Sequence, residues 1–423
     1  MILRGGRVID PARKIDQAGD VWIGEGRFVK AGSFPEPEAE IIELAGKIVA
    51  PGLIDIHVHL REPGQTAKET IHSGTEAAAR GGFTSVVCMP NTSPPVDDAG
   101  TVELIKARAR EEAVVRVYPT GAITVGLAGE EMTSMGSLKR AGVVALTDDG
   151  KCVQNNELMR RAVEYARMFE LPIMDHCQDY KLAGDGVMHE GVWSMKLGLS
   201  GWPAIAEEMI VARNCLLAEM TGWKIHCQHL SSAGSVRLIR DAKKRGVPIS
   251  GELCPHHVAL TDAAVQNFDT NFKMNPPLRS EADVEALIEG VADGTIDIFA
   301  SDHAPHCEYE KEVEFDYAPF GILGLETQLG LFLTEVVHKR KAIDLPGLVA
   351  RYTSNPARLL NLPCGTMEIG SDADVTVIDP DKEWTVRKED MASLSRNTPF
   401  DRWELKGKAV LTIVGGEVVH DEL

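Results

Sequence analysis

A chain of 423 residues, 44% of them hydrophobic, exceeds one average domain and carries ample apolar material for a large core. Its formal charge of −19 argues against a nucleic-acid or anionic-membrane surface, but not against a small anionic substrate held in a local cationic pocket. No apolar run approaches the roughly 18 residues of a membrane span, the N-terminus Met1-Ile-Leu-Arg-Gly-Gly-Arg7 has no secretory pattern, and eight scattered cysteines without a CxxC read as a reduced, cytoplasmic protein.

Residues 1–50 give short β runs at Ile2–Ile9, Asp20–Ile23, Phe28–Ala31, Ile41–Leu44 and Ile48–Ala50, broken at glycine pairs and at the Pro35/Pro37 segment. From Leu53 strands alternate with helix-length segments. The strand candidates are Leu53–His59, Phe83–Pro90, Val115–Thr124, Val143–Asp149, Leu171–Cys177, Trp223–Leu230, Val247–His257 and Ile296–His303. Helical candidates are Ala67–Gly81, Thr101–Glu112, Asn156–Phe169, Ala204–Met220, Val236–Arg245, Glu281–Asp293 and Leu325–Lys341. The end of the chain returns to short strands, Ala373–Asp379 and Lys408–Val419. The fold class expected is α/β: a (β/α)8 TIM-like barrel over residues 53–359, set into a small β-sandwich built from residues 1–52 and 360–423. Periodicity alone leaves an open doubly wound sheet available, but the first strand–helix turn lacks the G-x-G-x-x-G of a dinucleotide fold.

Chemistry gathers where a barrel puts its active groups, at the C-terminal strand ends. His57 and His59 are two apart on one strand and so face one spot, where two imidazoles suit a transition metal. Arg61 brings a guanidinium to the same mouth, able to fork onto a carboxylate. Later strands end in Asn91, Asp148-Asp149-Gly150, Asp175-His176-Cys177, His226-Cys-Gln-His229, His256-His257 and Asp302-His303-Ala-Pro-His306. Each fragment has a bland alternative as a turn, a strand edge or a core imidazole. Together, imidazoles and carboxylates ending six of eight strands point to a shared metal centre.

At these residues the chain resembles the bacterial class I dihydroorotases of the amidohydrolase superfamily. The likeness rests on Asp55-Ile-His-Val-His-Leu-Arg-Glu-Pro-Gly64, Met89-Pro-Asn-Thr92, Thr147-Asp-Asp-Gly150, Asn271-Phe-Lys-Met-Asn-Pro-Pro-Leu-Arg279, Ser301-Asp-His-Ala-Pro-His306 and Ala318-Pro-Phe-Gly321. It runs on to Asn397-Thr-Pro-Phe400 and Thr412-Ile-Val-Gly-Gly416, nearly the whole chain. The resemblance implies one or two zinc ions per chain, a binuclear site being expected: His57, His59 and Asp302 on one ion, His176 and His229 on the second, Asp149 bridging. Strand parity leaves Asp148 and Asp149 open, and the family pattern selects the second. His226, His256, His257 and His303 match no ligand position, and Lys151, two residues past the bridge, is not expected to be carboxylated.

The implied reaction interconverts N-carbamoyl-L-aspartate and dihydroorotate in pyrimidine synthesis. Asp302 would be ligand and general acid–base at once; Arg61, Asn91 and His306 would bind the substrate carboxylate beside His59, and Asn275 with the Phe320-Gly321 backbone would fix the ring. A hydantoinase or dihydropyrimidinase needs no carboxylate site, so Arg61 and His306 disfavour it. A non-catalytic relative serving only as a structural partner of aspartate transcarbamoylase should have lost ligands, and all six matched positions carry a competent side chain. The expected partners are a small-molecule substrate, a second copy in a homodimer and, as an option, aspartate transcarbamoylase, with no nucleic acid and no membrane.

Overall fold

The computed structural model describes residues 1–423. Eight parallel segments close into a ring. Leu53–Val58 pairs with Phe83–Cys88, and that strand with Arg116–Pro119. Single bridges then run from Gly121 to Leu146 and from Leu146 to Ile173. Ile173–Asp175, Ile225–Cys227, Ile249–Leu253 and Ile298–Phe299 follow in parallel order, and a bridge between Val58 and His303 shuts the barrel. The first two strands are buried at every residue, because one face meets the barrel interior and the other the surrounding helices.

The helices start where the sequence offers caps. Thr70 accepts from Ser73 N to open Ile71–Arg80, and Ser280 accepts from Asp283 N to open Glu281–Ala292. No helix is long and apolar enough to cross a membrane.

The ladders are shorter than the apolar runs imply, for identifiable reasons. In the run 143–149 only Leu146 makes β bridges, and the Asp148 carboxylate instead takes the backbone amides of Ile123 and Thr124 at 2.7 and 3.0 Å. The run 247–257 leaves the sheet at Leu253; after Pro255 the chain turns into the short helix His256–Ala259, so neither histidine lies on the strand. The run 325–341 divides into an α turn, Gln328–Phe332, and a wider-wound stretch, Leu333–Lys339. Helices Met135–Ala141, Leu345–Tyr352 and Ser354–Leu360 were not read from the sequence.

Both chain ends share one eight-stranded sheet. Ile48–Pro51 pairs in parallel with Ile2–Asp10 and antiparallel with Val375–Thr385, which continues into Glu404–Val414 and Glu417–Asp421. The sheet wraps a core of its own, including Leu3, Val21, Phe28, Val49, Val375 and Ile413. This arrangement clamps the chain just before the first barrel strand and so fixes where His57 and His59 begin.

Candidate metal centre and substrate cleft

Five strand ends bring the six expected ligands together. His57 Nε2 lies 3.2 Å from Asp149 Oδ1 and 3.4 Å from Asp302 Oδ1. His59 Nε2 lies 3.4 Å from Asp149 Oδ2 and 3.1 Å from Asp302 Oδ1. On the other side His176 Nδ1 and His229 Nε2 are 2.7 Å apart, and they stand 3.7 and 3.9 Å from Asp149 Oδ1. Asp149 thus belongs to two donor groups, one with His57 and His59 and one with His176 and His229. Asp148 faces away, toward Ile123 and Thr124.

The donors fit a metal. His57 Nε2 and Asp149 Oδ1 are buried and have no hydrogen-bond partner, an arrangement that burial penalises unless a ligand joins them. The second nitrogen of three of the four imidazoles is oriented by a neighbour. His57 Nδ1 meets Glu252 Oε1, His59 Nδ1 donates to Asn91 Oδ1 at 2.9 Å, and His176 Nε2 donates to Gln178 Oε1 at 2.9 Å. Each of these contacts leaves the lone pair of the remaining nitrogen aimed into the cluster.

The acidic and basic groups of the cluster shift one another strongly. Burial drives His57 down, but Asp149, Glu252 and Asp302 outweigh it and hold the imidazole well above its usual range. Burial raises Asp149 and Asp302, yet His57 and its neighbours keep both well below the ordinary carboxylate range. His229 falls to about 3, through burial and then His176 and His57. Arg61, His229 and Asp302 have positive φ of 59°, 30° and 48°, a concentration of backbone strain typical of functional sites.

Above the cluster opens a cavity of about 170 Å³, lined by His59, Arg61, Asn91, Asn275, His306, Phe320 and Gly321 together with Asp149, His176, His229 and Asp302. His57 is the one expected site residue beneath it. Arg61 is only 9% exposed, and its side chain touches Pro305 O at 3.1 Å and His306 Nε2 at 3.5 Å, neither of them anionic. Burial lowers its pKa to about 10, against the pull of Asp302, so it stays charged. His306 Nε2 donates to Phe320 O at 2.8 Å, and burial with Arg61 beside it keeps the imidazole neutral. Gly321 has φ of 120°, and a Cβ there would fall 2.6 Å from Ala304 Cβ, so only glycine lets the two walls meet. Asn275 donates to Gln178 Oε1 at 3.2 Å, and its buried Oδ1 has no partner. Asn91, expected on the substrate carboxylate, already holds His59 and, at 3.3 Å, Asp149.

His226, His256, His257 and His303 line no part of this cavity. Sequence reasoning did not single out Glu252 and Gln178. A lone glutamate inside the apolar run 247–254 was the available signal for the first; nothing marked the second.

Comparison with known proteins follows the same lines. The family described as Dihydro-orotase-like matches residues 46–235. The chain is 55% identical over 424 residues to the dihydroorotase of Pelotomaculum thermopropionicum, spanning 100% of this chain and 99% of that protein. It is 50% identical over 421 residues to that of Syntrophotalea carbinolica, spanning 99% of each. Among solved structures, L-hydantoinase (dihydropyrimidinase) from Arthrobacter aurescens superposes with a TM-score of 0.88 at 24% identity, over 100% of this chain and 96% of that one. Dihydropyrimidinase from Brevibacillus agri NCHU1002 gives 0.86 at 22% identity, over 100% and 95%. The structural likeness fixes the barrel-and-sheet fold alone, whereas the sequence identity runs from end to end: the chain belongs to the dihydroorotase family.

Proposed function

We propose that this enzyme interconverts N-carbamoyl-L-aspartate and (S)-dihydroorotate in pyrimidine synthesis, with two zinc ions that Asp149 and the imidazoles around it would hold. The observation that carries the reading is Arg61, a buried guanidinium at the mouth of the imidazole–carboxylate cluster with no anionic contact of its own. A desolvated cation in that position invites an anionic ligand group beside the reacting carbon.

In this reading His57, His59 and Asp302 would hold one ion, and His176 and His229 the other, with Asp149 shared between them. The metals supply the Lewis acidity that makes a water nucleophilic near neutral pH and polarises the ring carbonyl. The chain's own groups do the rest. Arg61 forks onto the ring carboxylate, and neutral His306 flanks it without adding a second charge to desolvate. The unpartnered Asn275 Oδ1 accepts a ring N–H, and the Phe320-Gly321 backbone bounds the ring. Asp302, kept ionised by the imidazoles around it, takes the proton from the attacking water and passes it to the departing ring nitrogen. Asn91, which lines the cavity, flanks the substrate carboxylate while its amide holds His59 and Asp149. The eight free cysteines accord with a reducing cytoplasm, and a homodimer, with or without aspartate transcarbamoylase, belongs to the same proposal.

Arg61→Met tests the reading. Losing one partner of a desolvated charge pair costs about 2–5 kcal/mol, so kcat/KM for dihydroorotate should fall steeply while zinc content and Tm hold. A variant that loses only stability would make Arg61 a brace for its loop and the carboxylate role wrong.

A further inference from the structure

Residues 391–400 lie between two strands of the terminal sheet, yet they bind the rim of the barrel. Ala392 and Ser393 donate their backbone amides to Glu326, Leu394 N donates to Glu69 Oε1 at 3.1 Å, and Ser395 Oγ donates to Lys68 O at 2.7 Å. Phe400 anchors the far end, fully buried among Leu260, Met274, Leu278 and Ile322. Between these anchors Asn397, only 4% exposed, points its amide at the cavity's walls. Its Oδ1 accepts from His306 N at 3.1 Å, while Nδ2 donates to Ala304 O at 3.0 Å and to Gly321 O at 3.1 Å. Its own carbonyl accepts from Leu323 N at 3.0 Å.

Three of those partners line the cavity, and none is a metal ligand. The segment 304–306 carries His306 and, through Pro305 O, the Arg61 guanidinium. The segment 320–323 carries the Phe320-Gly321 wall. The two touch directly through the backbone bond from Ala304 N to Ile322 O at 2.8 Å and the side-chain bond from His306 Nε2 to Phe320 O at 2.8 Å, and the Asn397 amide adds three more contacts around them. Both donors and an acceptor of one side chain are therefore engaged in setting the spacing of the walls.

We propose that Asn397 is a positioning residue for the substrate carboxylate: it fixes the separation of His306 and Gly321, and with it the place of Arg61. The inference rests on the reading that these walls receive that carboxylate. It makes the carboxylate pocket a joint product of the barrel and the C-terminal segment.

Asn397→Asp keeps the shape and the acceptor for His306 N but turns the donor into an oxygen facing two carbonyls. A defect in substrate placement raises KM more than it lowers kcat. KM for dihydroorotate should rise about tenfold or more, as two lost hydrogen bonds would give, with kcat within about threefold and metal content unchanged. Asn397→Ser is measured in parallel, and the same split is expected wherever the aspartate variant fails to fold. Ser395→Ala, in the same segment, should shift Tm without moving KM. If the Asn397 variants lower Tm while KM and kcat stay at wild-type values, the residue is only structural and the proposal falls. Arg61→Met separates the two claims: a rise in KM there with none in the Asn397 variants overturns this inference alone, and no rise in Arg61→Met overturns the carboxylate reading itself.

Discussion

Glu252 Oε1 lies 2.5 Å from His57 Nδ1, tying the innermost imidazole of the cluster to a fully buried carboxylate. The same oxygen accepts from His229 N at 3.1 Å, and Oε2 meets His226 Nε2 at 3.0 Å, whose Nδ1 is 2.8 Å from Ser250 Oγ. One side chain therefore orients a ligand from each half of the cluster. Although burial opposes it, contact with His57 and His226 lowers Glu252 to about 2, so it is a carboxylate at working pH.

Glu252→Gln should preserve the shape and weaken the orientation. Loss of such an outer partner typically lowers metal affinity about 10–100-fold. Competition of cobalt-loaded protein against a chelator measures it, and a wild-type dissociation constant would leave Glu252 with a packing role.

Asp149 meets both donor groups, whereas Lys151 is exposed two residues on. Asp149→Ala should remove most bound metal and turnover, and Lys151→Ala should keep both. A carboxylation increment in intact mass that maps to Lys151 and is needed for activity would reverse the assignment.

Asp302→Asn retains an oxygen donor and removes the base. Turnover in both directions should fall by at least the roughly 10²–10⁴-fold of general acid–base catalysis, with circular dichroism unchanged. Turnover near wild type would move the proton to another group.

Lys311 gives a pH signature. Its ammonium is buried against Thr270, Lys273 and Pro319 carbonyls, and burial, then repulsion from Lys273, lowers its pKa from 10.5 to about 7. Between those values the unfolded chain binds more protons at this site than the folded one, so stability from this group rises with pH across the window and is least at its acid end. Lys311→Met should flatten that rise in denaturant titrations at pH 7 and 9. Parallel profiles for the two proteins would contradict the assigned shift.

Much of this was legible because a parallel barrel writes its strands as apolar runs and its chemistry at their ends. His57 and His59 share a face for that reason, and Asp302 and His176 close later runs. What the runs do not encode is where a ladder yields to side-chain bonding, as at Asp148, or where Pro255 turns His256 and His257 off the sheet. Asn91 shows the limit in the site itself: its position was readable, but its bonds to His59 and Asp149 depend on three strands meeting. Glu252 acts through a partner 195 positions away, and Asn397 reaches back 91 to His306, distances over which periodicity carries nothing.

The most direct test is kcat/KM of the zinc-loaded wild-type enzyme on dihydroorotate and on dihydrouracil, which shares the cyclic amide and lacks the carboxylate. A buried Arg61 awaiting an anion predicts a preference for dihydroorotate of the order of the 2–5 kcal/mol charge-pair loss, about 30-fold to several thousand-fold. Equal turnover of the two substrates, or hydrolysis of dihydrouracil alone, would contradict it.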